Sequence, residues 1–214
     1  MRPIIFVRIA SMLYYQGITD KDSPVNGGSY VKETGQAHEC FNFAPAELED
    51  GRKVCLGYAQ LTGGSDTKEP ELHIEKIVGC NALKKEEFVD NVIVVWCAKS
   101  PGSQNVRGVG FYQHATVFRY HQWVYFSDGY EQCYEFVAEA KDCVLLPYQV
   151  RHSDSRWYVP TSSRNKAAFG LGRSSIWYAG NGDADEAEIN YVERMIQSIE
   201  GYSGENWMER ENAK

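Results

Sequence analysis

His38, Glu39 and Asn42 bring an imidazole, a carboxylate and an amide together within five residues. Those groups could do general acid–base work in a hydrolase or nuclease. On a strand, His38, Cys40 and Asn42 share one face, and Glu39, Phe41 and Phe43 share the other. Glu39 then lies among aromatics, where a buried carboxylate needs a partner. That partner is a ligand amine, or the backbone of the Asn26–Ser29 loop in a purely structural role. No residue is assigned a catalytic role on this evidence, and the cluster stays an alternative.

Other chemistries have weaker footing. The histidines at 38, 73, 114, 121 and 152 lack metal-ligand spacing, so neither a metal nor a cofactor is expected. Six cysteines occur without a Cys-x-x-Cys pair. That argues against a disulfide framework and for a reducing, cytoplasmic setting. A cysteine–histidine hydrolase stays open, but no pair stands out. Phe169-Gly170-Leu171-Gly172-Arg173 has two glycines without the strand-to-helix context of a phosphate cradle.

Aromatics and arginines point instead to binding. The chain holds 14 Tyr, 9 Phe and 5 Trp. Trp96, Phe111, Tyr112, Trp157, Tyr158 and Trp177 are candidates for lining a base-sized recess, with Gly28, Ser29, Tyr30 and Glu39 beside them; each ring could equally be core. The net charge of −7 is uneven: residues 181–214 carry nine acids and three bases. Residues 151–173 carry five bases and one acid. Arg151, Arg156, Arg164, Lys166 and Arg173 are therefore candidate phosphate contacts, or else charges on a solvated loop. Trp157-Tyr158 beside these arginines is what stacking plus phosphate contact requires.

The elements that must position these groups are mostly strands. Val92–Lys99 is almost wholly apolar and predicts a strand buried on both faces. Residues 107–120 follow a Pro-Gly-Ser loop and open with Gly108 and Gly110; Gly110 marks a close backbone approach or a barrel corner. Further strands are expected at 3–10, 38–43, 54–60, 72–77, 122–126 and 143–147, with 134–140 either strand or helix. A short helix is expected at 83–88. Ile189, Val192, Ile196 and Ile199 recur at helical spacing between an Asp cap at 183 or 185 and Gly201, predicting a C-terminal amphipathic helix. The tail beyond Tyr202 is expected to be loosely held. No apolar run is long enough for a membrane span. The expectation is an α+β chain, with a small β-barrel at 1–180 and an acidic helix and tail at 181–214.

Gly27-Gly28-Ser29-Tyr30, His38 to Phe43, Val94-Val95-Trp96, Gly108 to Tyr112 and Ala115 to Arg119 follow in an order that resembles bacterial PUA-like domains. This is the group of EVE- and YTH-like modified-base readers, found at the front of restriction-type endonucleases. The resemblance spans roughly residues 3–180. It implies a PUA-like barrel with flanking helices that holds an extruded base in an aromatic pocket. It also implies a partner in nucleic acid, namely modified DNA, and a place in bacterial or phage defence. With no nuclease domain after the helix, the resemblance implies a stand-alone reader or one that recruits a nuclease partner. A protein-interaction module docking through the acidic C-terminal helix is a further alternative.

Overall fold

The computed structural model describes residues 1–25, 38–61, 69–100, 102–127, 129–162, 168–182 and 184–210. Gly28, Ser29, Tyr30, Arg164 and Lys166 lie outside the described residues. The fold is α+β. Among the described residues nine strands form one sheet: β1 (Ile4–Ile9), β2 (Pro45–Glu47), β3 (Lys53–Gly57), β4 (Phe88–Lys99), β5 (Val106–Tyr125), β6 (Glu131–Glu139), β7 (Cys143–Leu145), β8 (Tyr158–Val159) and β9 (Ile176–Trp177). The strand order is β2-β3-β6-β5-β4-β1-β9, with β7 and β8 also paired to β5. The sheet is open, which corrects the expected closed barrel.

The two runs that dominate the sequence are the centre of this sheet. β4 pairs antiparallel with β5, and parallel with β1 in the register Ile4↔Ile93 to Ile9↔Ala98. The period of two splits their apolar residues between the faces. Ile5, Val7, Val94 and Trp96 join one core with Phe43, Tyr112 and Phe136. Phe6, Ile93, Val95 and Cys97 join a second core with Phe111, Trp157 and the helix side chains Val192, Met195, Ile196 and Ile199. Burial on both faces explains the near-continuous apolar run of β4.

Among the described residues two α-helices accompany the sheet, α1 (Tyr148–Ser153) and α2 (Glu186–Glu200). Asp185 caps α2 by accepting from the Glu188 amide, and Gly201 ends it, as the spacing predicts. Its apolar stripe is committed to the second core. The tail is held as far as it is described, through Arg210, contrary to expectation. Trp207 stacks on Tyr14 with ring centroids 5.6 Å apart. Asn206 accepts from the Leu145 amide and donates to the Cys143 carbonyl.

Several local expectations differ from the structure. His38–Phe41 is a 3₁₀ turn, as is Ile74–Lys76, and 83–87 holds a turn instead of a helix. Residues 108–120 and 122–126 are one continuous strand, β5. No helix among the described residues is long and apolar enough to cross a membrane.

Gly110 is where the backbone closes in. A Cβ there would meet the Phe43 ring and the Val144 carbonyl oxygen at 2.4 Å each, whereas one on Gly108 would meet nothing closer than 3.6 Å. Gly110→Ala is therefore expected to cost about 1–3 kcal/mol through overpacking, and Gly108→Ala much less. Urea unfolding of the two variants checks this; equal midpoints would refute the space argument.

Candidate functional site

His38, Glu39 and Asn42 do not converge on one site. Asn42 is wholly buried and clamps Tyr58, accepting from its amide at 2.9 Å and donating to its carbonyl at 3.0 Å. Glu39 accepts from the Ala10 amide at 3.3 Å. Burial pushes the Glu39 carboxyl up, against the pull of that bond. His38 turns to other partners, its ring packing on Tyr58 and Trp123. Each group has a separate structural task.

Most of the expected recess aromatics are core. Trp96 packs edge-on against Tyr112 and Phe136, Phe111 stacks on Trp157, and Trp177 stacks on Phe6 at 4.5 Å. Trp96, Tyr112 and Trp157 expose none of their surface. In this arrangement none of these three presents a face on which an extruded base could stack. Aromatics packing on a pleated surface account for them.

Arg151 is also interior. It is 2% exposed, and its guanidinium donates to the carbonyls of Leu146 (2.7 Å), Met12 (3.0 Å) and Leu13 (2.8 Å). It also lies over the Tyr15 and Trp207 rings. Burial lowers its pKa to about 10. It ties α1 to the segment after β1 and is not available to a phosphate.

Arg156 and Tyr158 remain at the surface, and the structure sets them in a cleft. A 3₁₀ turn, Ser155–Trp157, drops Trp157 into the second core and leaves Arg156 and Tyr158 exposed on either side. Asp154 fixes that turn: it accepts from the Arg156 amide and holds the Arg156 guanidinium at 2.6–3.1 Å. The Arg156 bond keeps Asp154 below its usual range. Opposite stands α2, which contributes Tyr191, Arg194 and Ser198. The cleft between them has a volume of about 640 Å³, within the range of small-ligand sites. The Tyr191 hydroxyl donates to the Tyr158 carbonyl at 2.9 Å and fixes the two walls together. Arg107 lies over the Tyr158 ring at 5.7 Å, and that ring keeps 39% exposure. Arg173 is exposed but does not line the cleft.

Arg194 lies outside the basic stretch 151–173 and is not among the residues the sequence singles out. The available signal was its position as a base in the acidic run 183–200, on the polar side of the Val192–Ile196–Ile199 stripe. A second grouping was also missed. His121, Cys133 and Glu135 come together across β5 and β6, with one potential donor atom from each lying within 4.8 Å of the others. The Cys-x-Glu spacing places both side chains on one face of a strand, but the sequence predicts 134–140 as either strand or helix and so does not fix that face. Comparison with known proteins finds no matching family model, and no curated protein or solved structure that matches the chain.

Proposed function

We propose that this protein binds a nucleotide at the Arg156–Tyr158–Arg194 cleft, its target being a modified nucleotide in DNA. The observation that carries the reading is the meeting of two exposed guanidiniums and an exposed tyrosine ring across one cleft of ligand size. Tyr158 supplies a face for the base, and Arg156 and Arg194 supply charge for phosphates. Asp154 and Arg107 hold Arg156 and Tyr158 in place, so little order is lost on binding. The modified base, its extrusion and a role in bacterial or phage defence come from the resemblance of residues 27–30, 38–43, 94–96 and 108–119 to modified-base readers.

Fluorescence anisotropy with matched plain and modified oligonucleotides, at several salt concentrations, tests it. Arg194→Ala should weaken binding to both and flatten the salt slope by roughly one unit. Tyr158→Ala should cost about 1–3 kcal/mol, mostly against the modified target. Weak binding that ignores salt, modification and both substitutions would overturn the proposal.

A further inference from the structure

β5 and β6 part company in the middle. Their register runs Thr116↔Val137 and Val117↔Phe136, then resumes at Gln122↔Tyr134. Residues 118–121 of β5 thus face the single residue Glu135 on β6. The Phe118 end of this bulge is held by β4, where Phe88 pairs with Phe118, and by Arg119, whose amide donates to Glu87. Bulges re-aim side chains, and this one aims His121 at Glu135. His121 Nδ1 and Glu135 Oε1 form an ion pair. Neither atom has a further hydrogen-bond partner. Glu135 is wholly buried, its second oxygen accepting from the Ala59 amide at 3.0 Å. Cys133 lies two residues back on the same strand face and is 3% exposed. The backbone amide of Cys133 donates to His38 Nδ1 at 3.4 Å.

We propose that His121, Cys133 and Glu135 form a binding site for a zinc-like divalent transition metal. The three donors are an imidazole nitrogen, a sulfur and a carboxylate oxygen, a mixed set that suits borderline-soft Zn²⁺ and not Mg²⁺ or Ca²⁺, which take oxygen. Donor atoms within 4.8 Å of one another need only small side-chain rotations to reach about 2.0–2.3 Å from a common centre. They come from two adjacent strands of one sheet, so the scaffold is largely preformed. Ala59 holds the carboxylate from behind, as an outer partner does in a metal site. Three protein ligands leave one tetrahedral position for solvent or a ligand atom. Tyr58, stacked on His121 at 5.7 Å, and Trp123, 49% exposed, stand beside it. This site uses none of the cleft residues and does not depend on the nucleotide reading.

The test uses the full chain, stripped with a chelator and titrated with Co²⁺. Wild type should take up a single equivalent and develop a thiolate-to-cobalt charge-transfer band with the intense visible bands of a tetrahedral site. Zn²⁺ should then bleach both. Cys133→Ser should abolish the charge-transfer band and weaken zinc binding by at least the roughly 100-fold that loss of an outer partner already brings. Cys80→Ser, at a cysteine outside the cluster, should leave the spectrum unchanged. Folded wild-type protein that takes up no stoichiometric metal, or a cobalt spectrum identical in wild type and Cys133→Ser, overturns the proposal. If Cys133→Ser does not fold, X-ray absorption of zinc-loaded wild type decides: a sulfur shell at about 2.3 Å supports the site, and a purely oxygen and nitrogen shell overturns it.

Discussion

Arg151→Met should lower the unfolding free energy by about 3–5 kcal/mol, because three carbonyls lose one charged donor together. The methionine keeps much of the stem's packing but leaves the carbonyls of Leu146, Met12 and Leu13 without their donor. An unsatisfied buried polar group costs about 1–3 kcal/mol, and here several lose a partner together. Arg151→Lys should recover only part of the loss, because a single ammonium cannot reproduce a planar fork that serves three acceptors. Chemical denaturation at one pH measures this directly. If Arg151 were a phosphate contact, its replacement would leave stability unchanged and flatten the salt dependence of DNA binding. That outcome would contradict the geometry.

In the metal-free protein, His121→Ala should cost a similar 3–5 kcal/mol, because it strands the Glu135 carboxylate in the interior. Adding Glu135→Gln to that variant should restore part of the loss. A double variant less stable than His121→Ala alone would show that the ion pair is not what holds this region. The pair should also make stability depend on pH. Burial works against a charged imidazole, but the Cys133 thiol and the Glu135 carboxylate outweigh it and push His121 from 6.5 up to about 10. A group whose pKa rises on folding stabilises fully below its unfolded value, and that contribution is lost as pH climbs through the folded one. Burial likewise raises Glu135, against the pull of His121, so its contribution has the same sign. The advantage of wild type over the His121→Ala, Glu135→Gln double variant should therefore shrink between pH 6.5 and about 10. An advantage that grows over that interval would refute the assignment.

The two proposals lie at different places along β5. Arg107, near its start, leans on Tyr158 at the cleft, and β8 pairs with Val106 and Arg107. His121, near its end, faces the β6 cluster. One 20-residue strand thus connects both regions, and each can be disabled without touching the other.

Features that depend only on neighbours along the chain are legible in the sequence. The apolar run 92–98 predicts a strand covered on both faces, and it lies in β4 at the centre of the sheet. The C-terminal helix was legible from its cap at Asp185, its Val192–Ile196–Ile199 stripe and its stop at Gly201, all local signals. Gly110 marked a close approach or a barrel corner, and the structure makes it the close approach, with the Phe43 ring and the Val144 carbonyl against it. The tertiary structure decided the rest. Trp157 and Arg151 sit in the same basic stretch as Arg156, yet both are buried and Arg156 is not. The reason lies far away in sequence, in the carbonyls of Met12 and Leu13 and in the core that receives the Trp157 ring. His38, Glu39 and Asn42 looked like one cluster on a strand, but a 3₁₀ turn sends them to Trp123, Ala10 and Tyr58. The reverse holds for His121, Cys133 and Glu135. They are separated in sequence by up to fourteen positions and share no motif, and they meet because a bulge in β5 breaks the pairing opposite Glu135. Periodicity reports which face a residue occupies. It carries no information about which distant strand lies across from it, and that is where both candidate sites were made.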